Sequence, residues 1–343
     1  MTEAGAGRAP TPEADRAPDA AQGPGVDGAP DAARASEVGG APETASAPGP
    51  IGFRISAVAS RGIDWPKLDA TWALAGELGV FDAGWLSDHL TDVSQARGGG
   101  AFESLTTAAA LAHRVPGLWI GLAVLSNTFR HPALLAKSAT VLDQVTGGRF
   151  VLGFGAGWHE GEHDAFGIPL PPLVERFDRF ESAIGLLQAL FSPAARGAPG
   201  VNRDDPFYPL RGATLEPPPV RPAGPPLWLG VEKPRGIRLA ARFASGWPMP
   251  GTHAGDVAYF SSKRDEIRRA LGAAGRDPAA FTFAAQLNVA PEPADLRAGR
   301  ATALALRAAG ADHVIIGVPG QLGPPALAAM AVEVARPLRE AWR

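Results

Sequence analysis

The chain has 343 residues, with 32 Lys and Arg against 35 Asp and Glu, a formal net charge of −3 and no cysteine. Near-balanced charge with no basic run gives no footprint for nucleic acid, and the missing thiols exclude a disulfide scaffold and a cysteine-ligated metal site. No window approaches the roughly 18 uninterrupted apolar residues of a membrane span, so neither a membrane nor a nucleic-acid partner is expected, and the expected compartment is cytoplasmic.

Residues 1–50 contain no aromatic residue and no Leu, Ile or Lys. A stretch of Ala, Pro, Gly and acids cannot bury enough apolar surface to offset its ordering entropy, so a disordered tail is expected there. It has no basic start followed by an apolar core, which argues against a signal peptide. A tail over 1–50 and one folded domain over 51–343 is the expected organisation, the tail being either a flexible segment or the product of a start codon chosen too far upstream.

From Ile51 onward, short apolar runs alternate with amphipathic ones. Strands are predicted at Phe53–Val58, Gly84–Ser87, Leu118–Leu125, Arg149–Gly155, Pro226–Gly230, Gly246–Met249, Phe281–Val289 and His313–Val318. The first helix places Leu68, Trp72, Ala75 and Leu78 on one face, with Pro66 and Gly79 as start and stop signals. Further helices are predicted from Phe102 to about Arg114, then at Pro132–Val145, Val174–Phe191, Arg235–Ala244, Asp256–Ala273, Leu296–Ala309 and Pro325–Leu338. Continuous apolar strands between such helices imply a covered parallel sheet. Eight repeats favour an α/β fold closed into a (β/α)8 barrel. The Pro-rich stretch Ser192–Pro225 is the one long insertion, either an active-site cover or a surface excursion held by a hairpin around Phe207–Leu215.

The strand near Phe150 runs into three alternating glycines, Gly153, Gly155 and Gly157. Glycines at the end of a buried strand allow close approach of backbone to a ligand, and barrels place ligands at that face. His159-Glu160-Gly161-Glu162-His163 then matches HExxH. That zinc signature needs both imidazoles on one helix face; the preceding glycines and the internal Gly161 argue against a helix, and no metal is expected.

The order TVLDQVTGGRFVLGFGAGW, EHDAFG and ERFDRFESAIGLLQALF, flanked by WLSDHL at 85–90, GLAVLSNTFRHPALLAKSATVLD at 121–143, PPLWLG and AARFASGW within 225–247 and AGADHVIIG at 309–317, resembles the luciferase-like monooxygenase superfamily. Within it, the resemblance is to the branch that uses the deazaflavin coenzyme F420. It implies a luciferase-like TIM barrel that moves a hydride between coenzyme F420 and a small organic substrate, with a homodimer as the assembly common among relatives. It also implies an insertion over the active site near 192–225.

By the same resemblance, Asp88 contacts the cofactor, and His89 faces its reactive ring as general acid or base. Histidine as a residue type titrates near neutrality, which suits either role. Ala123–Val124 matches a non-prolyl cis peptide that props the ring, and Ser126 reaches it. The backbone of Gly155, Ala156 and Gly157 lines the cofactor. Gly230, Val231, Glu232 and Lys233 form the phosphate loop, where Glu232 is unfavourable and Lys233 or Arg235 would offset it. Trp158 and Val93 stand where sugar-phosphate dehydrogenases of the branch carry glutamate and tryptophan, which argues against that substrate, and Trp158 either walls an apolar pocket or packs. Ser245 replaces an acid of the usual pattern. Two alternatives remain: a two-component monooxygenase using reduced FMN and oxygen, and a degenerate barrel that binds a ligand without turnover.

Overall fold

In the computed structural model, the described residues are 47–55, 64–91 and 100–343. The expected tail therefore lies outside them except for Ala47–Pro50, as do the end of the first predicted strand and Val93. Those four tail residues pack against the domain. Pro50 O accepts from Val314 N at 2.8 Å, and Gly49 O accepts from His313 Nδ1 at 2.5 Å.

Eight parallel strands close a barrel. They are β1 (Ile51–Ile55), β2 (Ala83–Leu86), β3 (Trp119–Leu122) continued by β4 (Leu125–Ser126), β5 (Phe150–Gly155), β8 (Leu227–Leu229), β9 (Gly246–Pro248), β10 (Thr282–Asn288) and β11 (His313–Val318). The order β3-β2-β1-β11-β10-β9-β8-β5 is closed by pairing of β3 with β5. The remaining pair, β6 (Val201–Arg203) and β7 (Leu210–Ala213), is an antiparallel hairpin in the insertion.

Helices cover the outside: α1 (Trp65–Leu78), α2 (Ser104–Ala112), α3 (Pro132–Val145), α4 (Glu160–Phe166), α5 (Leu173–Phe191), α6 (Pro234–Phe243), α7 (Val257–Ala273), α8 (Pro293–Ala308), α9 (Gly323–Met330) and α10 (Arg336–Ala341). The first shows why the sequence signals work. Asp64 accepts from Lys67 N as an N-cap, and Gly79 ends the helix with φ +62°, a left-handed conformation that glycine adopts without a Cβ penalty. The predicted last helix is instead divided, with a π-helical turn at Ala331–Ala335 between α9 and α10.

The core has two layers. The larger lies between strands and helices; the smaller fills the barrel with Ala83, Trp85, Trp119, Val151, Trp228, Ala284 and Ile315. Trp85 and Trp228 stack at 5.0 Å, and Trp85 Nε1 donates to His313 Nε2 at 2.9 Å. This aromatic floor plugs the lower barrel and leaves the mouth formed by the strand C-termini as the place where barrels receive a ligand.

The insertion is the surface excursion rather than the active-site cover. Its hydrogen bonds and ring contacts run chiefly to α3 and α5 on the outside of the barrel: Asp143 Oδ2 accepts from Val220 N, Ser182 Oγ donates to Asp205, and Arg179 lies over Phe207. No helix among the described residues is long and apolar enough to cross a membrane.

Candidate active site

The mouth is organised where β2, β3–β4 and β5 end. Asp88, just past β2, is buried, and both its oxygens are occupied from inside the protein. Oδ1 accepts from Ser104 Oγ at 2.6 Å and Arg130 Nη2 at 2.9 Å; Oδ2 accepts from Ser126 N and Arg130 Nη1, each at 2.7 Å. Arg130 therefore makes a bidentate pair, the strong geometry for this contact, and reaches Glu103 at 3.1 Å. These four bonds are all internal, so the carboxylate fastens the ends of β2 and β4 together.

His89 points differently. Its side chain is 23% exposed, while Glu162 is 1% exposed and meets its Nδ1 at 2.9 Å through Oε2. Glu162 Oε1 accepts from Leu90 N at 2.6 Å and Thr91 N at 3.1 Å. Burial pushes the Glu162 carboxyl up, but the hydrogen bond and charge of His89 and the two backbone amides outweigh it and hold the group below its ordinary value. An ionised Glu162 requires the His89 proton on Nδ1, which leaves Nε2 as the reactive nitrogen. The Trp158 indole stands edge-on to His89, with ring centroids 6.0 Å apart, and is 60% exposed.

Glu162 was absent from the sequence-based site because it fell inside the discounted HExxH match. Contrary to that reading, the segment is helical. His159 caps α4 through Nδ1, accepting from Glu162 N at 3.1 Å, and Gly167 closes it. The second imidazole is occupied on both sides: His163 meets His159 O through Nδ1 and Thr128 Oγ1 through Nε2, each at 2.7 Å. The two rings do not converge, and among the described residues no group of three His, Asp or Glu could hold a metal.

A neutral imidazole at His163 sets a directed chain. A carbonyl can only accept, so a neutral His163 carries its proton on Nδ1 and accepts from Thr128 at Nε2. Thr128 Oγ1 then accepts from Ser126 Oγ at 2.7 Å. Ser126 has its proton committed, and its hydroxyl offers only lone pairs to anything further. Neighbouring Asn127 has a buried Oδ1 without a hydrogen-bond partner.

The Ala123–Val124 bond is cis, as the resemblance implied, and it separates β3 from β4. Both residues are half-exposed. The glycines make room for this bulge. An added Cβ at Gly153 would overlap the Leu122 carbonyl, and at Gly155 or Gly230 it would come within 2.9 or 2.8 Å of Val124. Gly157, with φ +86°, leaves room for the hydroxyls of Ser126 and Thr128. Ala156 lies half-buried between them.

At the expected phosphate loop, Glu232 is drawn aside. Its Oε1 accepts from Tyr259 OH at 2.7 Å and lies 3.4 Å from His253 Nε2. Burial and this carboxylate push the Tyr259 hydroxyl up, so it remains a donor. Val231 is structural, its carbonyl accepting from Trp247 Nε1 at 2.8 Å. Arg235 pairs with Asp178 at 2.7 Å and Glu181 at 3.3 Å, so it is engaged away from the loop. Exposed Lys233 leads into α6 at its N-cap position. Ser245 turns inward, its Oγ donating to Leu227 O at 3.3 Å.

Fold and mouth together define a (β/α)8 barrel of the enzyme type, with an oriented imidazole at its C-terminal face. The chain belongs to the luciferase-like monooxygenase family, matched over residues 53–335, a family of oxidoreductases. It is similar to the phthiodiolone/phenolphthiodiolone dimycocerosates ketoreductase of Mycobacterium sp. (strain JLS), 35% identical over 180 residues, 52% of this chain and 45% of that protein. The chain thus matches about half the length of that relative. It is also similar to the F420-dependent glucose-6-phosphate dehydrogenase of Beutenbergia cavernae, 31% identical over 69% of this chain and 68% of that enzyme. Among solved structures, the coenzyme F420 dependent tetrahydromethanopterin reductase from Methanopyrus kandleri shares the fold, with a TM-score of 0.67 at 16% identity, covering 85% of this chain and all of that one.

Proposed function

We propose that this protein is a coenzyme F420-dependent oxidoreductase that exchanges a hydride with a small organic substrate, with His89 as general acid–base. The observation that carries the reading is the His89–Glu162 pair, which fixes a free Nε2 beside the strand ends that present the Ala123–Val124 bulge. The F420-dependent dehydrogenase similar to this chain supports the choice of cofactor.

Two features fit a flat tricyclic ring with polar edges: the half-exposed apolar bulge and the unpartnered Oδ1 of Asn127. Ala123, Val124 and Ser126 would hold the ring, with the backbone of Gly155, Ala156 and Gly157 beside it. Gly230 and Lys233 would face its phosphate. When bound, the deazaflavin supplies or accepts the hydride. Glu162 holds the His89 imidazole in one tautomer, and Nε2 gives a proton to the substrate oxygen or takes one from it. Asp88 and Arg130 position the loop that carries His89. Trp158 screens the imidazole from water on one side.

A parallel binding titration of purified protein with coenzyme F420 and FMN tests this. Tight F420 binding with weak FMN binding is the expected result. Preference for FMN would transfer the protein to the reduced-flavin, oxygen-using reading that the family description favours, and binding of neither would leave the degenerate barrel.

A further inference from the structure

Across the mouth from His89, the barrel holds a second feature that the reading above does not use. In β1, Ile51 and Phe53 belong to the layer between strands and helices. Gly52 faces the aromatic floor, where an added Cβ would meet Trp85 and His313. Strand alternation therefore sends Arg54 into the barrel, one layer above the tryptophans. Its register partners are Trp85 on β2 and Gly317 on β11.

Among the described residues its guanidinium is held by two neutral amides and by no acid. Nη1 donates to Gln286 Oε1 at 2.6 Å and Nη2 to Asn288 Oδ1 at 2.9 Å. Gln286 is fixed in turn, because its Nε2 donates to Met249 O, so its oxygen must face the arginine. Gly251 and Gly317 flank the group and leave it room; an added Cβ would stand 3.5 Å from Nη1 and 3.3 Å from Nη2. Arg130 and Arg235 are each paired with carboxylates, and Arg176 donates to the Gly157 carbonyl, whereas no carboxylate among the described residues lies within ion-pair distance of Arg54. Two of its five donors are used. Burial pushes its pKa down from the usual arginine value.

A charge enclosed in a barrel without a counter-ion is unfavourable unless a ligand provides one. Amide oxygens are the suitable internal partners for that purpose: they aim a guanidinium without neutralising it. We propose that Arg54, oriented by Gln286 and Asn288, is the binding site for an oxyanionic group, a carboxylate or phosphate, of the substrate. The assignment of that anion to the substrate rests on the active-site reading given above. Arginine's planar fork suits such groups bidentately, and the site limits the substrate class to small molecules carrying an oxyanion.

The test titrates the full-length protein with acetate and with inorganic phosphate at fixed ionic strength, read by tryptophan fluorescence from the floor beneath Arg54. Saturable binding is expected in the native chain, weakened tenfold or more in Arg54→Gln. Asn288→Asp, which places a carboxylate against an intact Arg54, should abolish binding as well and serves if Arg54→Gln does not fold. Equal responses in the native chain and both variants, or no saturable response at all, would overturn the proposal. F420 affinity on the same variants separates the two sources of the anion. An unchanged value in Arg54→Gln supports the substrate, and a parallel loss assigns the arginine to the cofactor and overturns the substrate assignment. A native chain that binds the anions but not F420 would overturn the cofactor reading and leave the anion site standing.

Discussion

The two arcs of the barrel mouth handle charge in opposite ways. Along β2, β4 and β5, ionic groups are matched inside the protein: Asp88 with Arg130, and Glu162 with His89 and two backbone amides. Along β1, β10 and β11, Arg54 is surrounded by amides, glycines and backbone. The charges of the first arc are matched without a ligand, which suits holding a nitrogen rigidly. The second is electrostatically incomplete and stands ready for a ligand. In the proposed function, rigidity where a proton moves and unsatisfied charge where a substrate is gripped are distinct requirements, which the two arcs would meet on different strands.

Substitutions should expose this contrast. Asp88→Ala leaves Arg130, only 12% exposed, without its bidentate partner. A loss of about 3–5 kcal/mol is expected for breaking a pair of this kind, measured by urea unfolding; a loss under about 1 kcal/mol would mean that the completed arc is not held by charge matching.

Beneath the second arc, burial pushes His313 down to about 4, against a smaller opposing effect of its bond to Gly49 O. The unfolded chain therefore binds the additional proton first. Stability is full above about pH 6.5 and falls as pH drops toward 4, by roughly 3 kcal/mol in all. Thermal melts across that window should show the decline in the native chain and a flatter profile in His313→Asn.

His89→Ala should lower turnover by about two orders of magnitude or more, the usual scale for a general acid–base group. Glu162→Gln should lower kcat by roughly ten- to a hundredfold with KM little changed, the effect of losing an orienting partner. A Glu162→Gln enzyme as active as the native one would detach the carboxylate from the mechanism.

The smallest effect has the opposite sign. Arg54→Met removes a charge that no carboxylate among the described residues balances, so stability should hold or rise by up to about 1 kcal/mol while anion binding disappears. A loss similar to that of Asp88→Ala would erase the distinction between the arcs.

Much of the scaffold is legible in the residues. Apolar runs such as Phe150–Gly155, bounded by glycine turns and amphipathic helices, gave strand type and order, and Pro66 and Gly79 marked a helix to within a residue. The resemblance correctly located the cis bond at Ala123–Val124, which also splits the single predicted strand Leu118–Leu125 in two. The site was less legible because its decisive bonds cross long stretches of chain. Glu162 meets a histidine 73 positions earlier, and Gly161 suggested a broken helix where capping by His159 and Gly167 sustains a short one. Glu232 looked hostile to a phosphate because Tyr259, which draws it away, lies far along the sequence. Arg54 carried no signal at all, since only the closed barrel shows that it faces inward with no acid among the described residues beside it.

The central claim is that His89 and the Ala123–Val124 bulge face one cofactor ring. A crystal structure of the protein soaked with coenzyme F420 tests it directly. The account predicts the ring against Ala123 and Val124, with His89 Nε2 turned toward its reactive face and the Nδ1 contact to Glu162 kept. A ring bound elsewhere, or an imidazole turned away with its Glu162 contact broken, would contradict it.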